Sequence, residues 1–263
     1  MPYIKNTYNC GRWWEVEKVF SGRYGKRTPP GEKRKPTPEE MAKINERNAE
    51  KKLRRKIARN FVAGDLHIVL TYKGEPPGKE EAASMQDKFL RTLRNWYRKQ
   101  GQELKYIKVT EYKHKRIHHH IIINNIEGCL QKSRSLWKGG IYPSVMYEEG
   151  GFGDLAHYLI KETRLTVKDM DAPNRLRYSC SRNLIEPEKT TEIVKAEKWV
   201  EAPVPPQGYW IPKDSIANGI SGKTGRRYQY YTLMPISSIG KEEKKNNGDK
   251  YYKPRRAPCR NTE

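Results

Sequence analysis

Three consecutive histidines, His118, His119 and His120, run directly into Ile121, Ile122 and Ile123, and a carboxylate, Glu111, lies just upstream. Residues 107–124 read as two strands joined by a basic turn. Side chains alternate faces along a strand, so His118 and His120 point the same way while His119 points with Ile121 and Ile123. A paired neighbouring strand brings Glu111 beside the two histidines. Two imidazoles and one carboxylate with open positions suit a divalent cation. Histidine clusters also occur as surface features or satisfied core groups. The acidic residue on the preceding strand and a tyrosine downstream favour the metal reading.

That tyrosine lies in DLAHYLIKE, a helix entered through the flexible stretch Gly150-Gly151-Phe152-Gly153. Asp154, Tyr158 and Lys161 fall at i, i+4 and i+7, on one helix face, with Leu155, Leu159 and Ile160 as anchors. Tyr-x-x-Lys carries little weight alone in a chain with 17 tyrosines. Tyr112 and Lys115 match it too, but at the end of the Glu111 strand.

A pair of histidines flanking one residue on a strand, followed by apolar residues, resembles the signature of the HUH endonucleases. The middle position is His119 here, where that family usually has an apolar or aromatic residue. The arrangement Glu111-Tyr112, basic turn, Arg116-Ile117-His118-His119-His120 looks like the replication proteins of small single-stranded DNA phages and rolling-circle plasmids. The resemblance implies an α+β fold over roughly residues 62–190, with an antiparallel sheet of RRM or ferredoxin-like type flanked by helices. It implies that Glu111, His118 and His120 hold Mg²⁺ or Mn²⁺. It implies that Tyr158 attacks a DNA phosphate, with Lys161 stabilising the developing charge, to leave a 5′-phosphotyrosine link and a free 3′-OH.

Motif order sorts the family further. Histidines precede the tyrosine, as in replication initiators and single-tyrosine transposases, whereas conjugative relaxases place the tyrosine first. The long basic extensions favour a rolling-circle initiator acting on single-stranded origin DNA. The expected partners are a separate helicase, a host polymerase and a second subunit that supplies the nucleophile for termination. A single-tyrosine transposase or relaxase, a DNA-binding initiator that does not cut, and a nuclease that uses water are the rival readings.

Composition fits a polyanion partner: the net charge is +22 and the pI about 9.8. Hydrophobic residues make up 35% of the chain and the mean hydropathy is −1.00, which predicts a modest core with polar extensions. No apolar run is long enough to span a bilayer, so no membrane partner is expected. The N-terminus lacks a signal-peptide core, and Cys10, Cys129, Cys180 and Cys259 form no CxxC pair. A reducing cytoplasm fits both observations, and the resemblance implies a bacterial host cell.

The elements follow in order. Residues 1–36, with Trp13, Trp14, Tyr24 and the run GEKRKP, read as a partly extended aromatic and basic arm. Thr37-Pro38-Glu39-Glu40 is a capping-box helix start, and the helix is expected to run to about Asn60. Its second half carries Lys51, Lys52, Arg54, Arg55 and Arg59, which are expected to lie along DNA together with Arg116 of the basic turn. Residues 66–73 read as a strand and 74–78 as a loop. A helix from Lys79 to Gly101 follows, with Met85, Phe89, Leu93 and Trp96 at helical spacing. A short helix within 128–140 and a strand over 141–147 complete the central unit. Residues 174–184 mix arginines with small polar residues; 190–200 are helical or extended, and 202–208 form a Pro-rich linker. Residues 227–234 read as a strand, and the chain from Lys241 as disordered. ANGISGKT at 217–224 fits a relaxed P-loop, but it lacks the first glycine and leads into a strand-like tyrosine run. Residues 221–225 are therefore read as a hairpin turn. The expected divisions are 1–61 (arm and helix), 62–190 (nuclease unit) and 191–263 (C-terminal extension).

Overall fold

Alternating burial along the central strands builds a sheet with both faces covered. The computed structural model describes residues 2–20, 37–112, 116–147, 149–173, 176–196, 198–221 and 225–236. The fold is α+β, with two antiparallel sheets. The central sheet uses β3 (Leu66–Leu70), β4 (Tyr106–Glu111), β5 (His118–Ile123), β6 (Ile141–Val145) and β7 (Ser179–Cys180), in the order β6-β3-β5-β4-β7. Helix α2 (Lys79–Lys99) links β3 to β4, and α3 (Cys129–Leu136) links β5 to β6. This is a split β-α-β-β-α-β unit of ferredoxin-like type, in which every neighbouring pair of strands is antiparallel.

One sheet face packs on α2 and α3. Leu66, Ile68, Leu70, Ile121 and Ile123 meet Phe89, Leu90, Leu93 and Tyr97 there, with Cys129 and Trp137 closing the cluster. Helix α2 stops where the sequence predicts, with Gly101 left-handed at φ 70° just beyond it. Strand β3 ends before residues 71–73; Thr71 instead donates its N–H to the Gly140 carbonyl, and its own carbonyl accepts from the Trp137 indole.

The opposite face carries Ile107, Val109 and Ile122 and is covered by α1 (Pro38–Asn60) and α4 (Gly153–Glu162). Leu53, Ile57 and Ala58 of α1 pack with Ala156, Leu159 and Ile160 of α4. The capping box of α1 forms: Thr37 Oγ1 accepts from the Glu40 N–H at 3.2 Å, and the Glu40 carboxylate accepts from the Thr37 N–H at 2.9 Å. A five-residue helix α5 (Arg164–Lys168) follows α4.

The N-terminal segment differs from the arm that its composition suggests. β1 (Tyr3–Asn9) and β2 (Trp14–Phe20) form a hairpin in register from Tyr3–Phe20 to Asn9–Trp14. β8 (Glu188–Val194) pairs with β1 on one side, and β11 (Arg227–Pro235) pairs with β2 on the other. β10 (Ala217–Ile220) and β9 (Tyr209–Trp210) add to β11. Both ends of the described chain therefore share one sheet. The P-loop-like ANGI is β10, a strand and not a phosphate loop, and it forms a hairpin with β11. Residues 190–194 are extended within β8.

The basic face of α1 docks on this second sheet. Glu15, with a fully buried side chain, accepts from Arg55 at 2.7 Å and from Arg54; Arg55 also reaches Glu17 at 2.9 Å and lies 3.5 Å over the Tyr8 ring. Lys51 pairs with Glu17 at 3.0 Å, and Arg54 bonds the Tyr230 hydroxyl. No helix among the described residues is long and apolar enough to cross a membrane. The GEKRKP run, Tyr24, the middle of the basic turn at 113–115, residues 222–224 and the tail from Lys241 lie outside the described residues.

Candidate metal centre

The site is built where β4, β5 and α4 converge. Antiparallel pairing puts Glu111 directly opposite His118, and period two puts His120 on the same face. Ligand atoms of Glu111, His118, His120 and Glu162 all lie within 4.8 Å of one another. Glu162 is not among the residues that the motif singles out. It sits one helical turn beyond Tyr158, so the two share a face of α4. The Tyr-x-x-Lys pattern draws attention to i+3, whereas helix geometry also brings i+4 round to the tyrosine's side.

Each imidazole is held by its second nitrogen. His118 Nδ1 donates to the Arg116 carbonyl at 3.0 Å, which leaves Nε2 facing the Glu111 carboxylate at 3.0 Å. In a neutral His118 that contact sets a lone pair against a carboxylate oxygen, an arrangement relieved by a proton or a cation. His120 Nδ1 meets His67 Nε2 at 3.2 Å, and His120 Nε2 is buried with no hydrogen-bond partner. An orphaned buried nitrogen beside two carboxylates and a second imidazole makes a donor set suited to a cation. The mixed oxygen and nitrogen donor set fits Mg²⁺, Mn²⁺ or a borderline first-row ion.

The electrostatics agree with this fit. Burial opposes a charge on His118, but the hydrogen bonds to Glu111 and Arg116 and the charges of Glu111 and Glu162 outweigh it and hold the pKa above the usual histidine range. Burial, a hydrogen bond with Glu111 and the Glu111 charge push Glu162 up to about 7, with His118 and Lys161 pulling it back. Burial, then the neighbouring imidazoles, drive His120 well below the histidine range, so it is neutral.

Tyr158 stands edge-on to this group. Its ring centroid is 5.3 Å from that of His120 at 87° and 6.4 Å from that of His67 at 73°. Lys161 is exposed, acting on the cluster through its charge on Glu162, and Asp154 is exposed at the far end of α4.

His119, on the opposite face, is fully buried and hydrogen-bonded at both nitrogens: Nε2 to the Tyr72 hydroxyl at 2.7 Å and Nδ1 to Thr110 Oγ1 at 2.8 Å. Its role is to tie β5 to β4 and to Tyr72, which accounts for a polar residue where an apolar one is expected.

The basic residues expected along DNA divide into groups. Lys51, Arg54 and Arg55 are ion-paired to Glu15 and Glu17. Lys52 and Arg116 are exposed, and Arg59 is half-buried.

Residues 65–166 match the family model described as Replication-associated protein ORF2/G2P. That span contains His67, Glu111, His118, His120, Tyr158 and Glu162, and it is similar to a replication-associated family over the whole candidate centre. No curated protein and no solved structure matches the chain.

Proposed function

We propose that this chain is a rolling-circle replication initiator that nicks single-stranded origin DNA through a tyrosine. The observation that carries the reading is the geometry of α4. One helix face presents Tyr158 edge-on to His120 and brings Glu162 into the group formed by Glu111, His118 and His120. The similarity of the same segment to a replication-associated family supports a role in initiating replication.

Glu111, His118, His120 and Glu162 would hold Mg²⁺ or Mn²⁺, which when bound supplies Lewis-acid polarisation of a non-bridging phosphate oxygen. The protein's own groups do the rest. A tyrosine has an ordinary pKa near 10, so Tyr158 must lose its proton as it attacks. The Tyr158 oxygen–phosphorus bond forms while the phosphorus–O3′ bond breaks, and the leaving 3′ oxygen takes up a proton. The products are a 5′-phosphotyrosine link and a 3′-OH. Lys161, exposed on the same helix, offers a cation to the incoming phosphate, and Lys52, Arg59 and Arg116 are candidate contacts to the flanking strand. Elongation from the 3′-OH calls for a separate helicase and a polymerase. A second copy of the chain is the simplest source of a nucleophile at termination.

The test is a denaturing gel of the full chain with labelled single-stranded DNA containing the element's own origin, with and without Mn²⁺. A protease-sensitive, metal-dependent adduct is expected, and Tyr158→Phe should abolish it while leaving binding intact. Cleavage that survives Tyr158→Phe without an adduct would instead identify a hydrolytic nuclease. Binding without cleavage under any divalent ion would identify an initiator that does not cut.

A further inference from the structure

We infer that His67, held by Ser144, is a positioning residue that fixes His120 in the one tautomer able to bind a cation. The inference rests on the metal reading of the centre, but its first test needs no metal.

Three strands build the relay. His67 on β3 lies opposite Ser144 on β6, and it shares the site face with His120 on β5. His67 Nε2 is 3.2 Å from His120 Nδ1, and the rings are nearly parallel at 17°. On its far side, His67 Nδ1 is 3.3 Å from Ser144 Oγ, which is also 3.3 Å from the His67 carbonyl oxygen. His67 is 4% exposed and His120 1% exposed, so both imidazoles are shielded from bulk solvent.

Two neutral imidazoles facing nitrogen to nitrogen share one hydrogen, which leaves two arrangements. In the first, His67 Nε2 donates to His120 Nδ1. His120 must then carry its hydrogen on Nε2, a buried atom with no acceptor in hydrogen-bond geometry, where it also blocks coordination. In the second, His120 Nδ1 donates to His67 Nε2, His67 Nδ1 donates to Ser144 Oγ, and the Ser144 hydroxyl donates to the His67 carbonyl. Every hydrogen then has an acceptor, and His120 Nε2 presents a lone pair to Glu111, His118 and Glu162. An unpaired buried donor is the costlier defect, so the second arrangement is favoured. The site thus uses an imidazole as the outer partner of a ligand histidine, where a carboxylate or a backbone carbonyl is the commoner choice. A neutral partner holds the tautomer without adding charge to a centre that already has two carboxylates.

The first experiment is a long-range ¹H–¹⁵N spectrum of the metal-free full chain, with the histidines assigned by substitution. His120 is expected as the Nδ1–H tautomer in the wild type, and its finding as Nε2–H overturns the inference. The second is calorimetric titration with Mn²⁺ of the wild type, His67→Gln, His67→Leu and Ser144→Ala, each checked for a cooperative melt. His67→Leu should weaken binding by about 10–100-fold, the usual cost of losing such a partner. His67→Gln, whose amide oxygen can accept from Nδ1–H, should recover most of it, and Ser144→Ala should lose a few-fold. A folded His67→Leu that binds Mn²⁺ as the wild type does overturns the inference and leaves the metal site standing. Should His67→Leu not fold, unchanged affinity in Ser144→Ala overturns it equally. A wild type with the Nδ1–H tautomer that binds no Mn²⁺ removes the metal reading, and with it the purpose assigned to the relay.

Discussion

Two carboxylates, Glu111 and Glu162, face each other across the centre, and without a cation between them they are not both readily ionised. The sign of the resulting pH dependence follows from Glu162. Its folded pKa of about 7 lies above the ordinary value of 4.5, so its contribution to stability is complete below about 4.5 and is lost as pH rises through 7. His118, also raised, acts in the same direction: its contribution is present below the usual histidine range and lost above it. The metal-free protein should therefore lose thermal stability as pH rises from about 4.5 through about 7, while Mn²⁺ raises the melting temperature more at the upper end. Melts across that range check this, and an Mn²⁺ shift independent of pH would contradict it. Glu162→Gln keeps the shape and removes the charge. It should raise the metal-free melting temperature at about pH 8 and weaken Mn²⁺ binding by more than about tenfold, a loss already typical of outer partners. His118, His120 and Glu111 were legible because strand alternation and one register suffice to bring them together. Glu162 was not, since the Lys161 pattern competed for the same turn, and nothing placed His67 beside His120 until the β3–β5 register was known.

Elements tell a similar story about distance along the chain. The start of α1 was legible because Thr37 and Glu40 satisfy each other locally. Its basic face suggested DNA because the acidic partners, Glu15 and Glu17, lie in a hairpin whose apolar alternation is weak. That hairpin looks polar in sequence because one of its faces meets arginines instead of an apolar core. Glu15→Gln leaves Arg54 and Arg55 sharing a neutral partner, and by the usual cost of breaking a buried pair it should destabilise the protein by about 3–5 kcal/mol. Urea unfolding measures this, and a loss under about 1 kcal/mol would show that solvent screens the pair after all. Gly139→Ala tests the join between α3 and β6. A Cβ there would overlap the Thr71 carbonyl and crowd the Trp137 indole. The substitution should cost at least about 2 kcal/mol, as expected where backbone itself must shift. A Gly139→Ala variant as stable as the wild type in the same urea titration would mean that the turn relaxes freely.

At the scale of the whole molecule, the charge of +22 is the feature that a long anionic strand would meet first. Arg54 and Arg55 of α1 are committed internally, which leaves the exposed lysines and arginines as the candidates to contact phosphates. Binding of single-stranded DNA by Tyr158→Phe should weaken at least about tenfold between about 50 and about 200 mM salt, as counterion release requires. Fluorescence anisotropy over that range checks it, and an affinity indifferent to salt would argue against a phosphate-dominated interface. The joining of residues 3–20 to residues 188–235 in one sheet could not be read from the sequence, because no local pattern specifies which distant strands pair.

The central claim is that Tyr158 becomes covalently joined to the 5′ side of a cut strand. Mass spectrometry of the trapped adduct, after protease and nuclease digestion, tests it most directly. The account predicts a nucleotide attached through its 5′ phosphate to the peptide holding Tyr158, with fragmentation placing it on that tyrosine and none formed without a divalent ion. A nucleotide on a different tyrosine, or cleavage with no modified peptide, would contradict it.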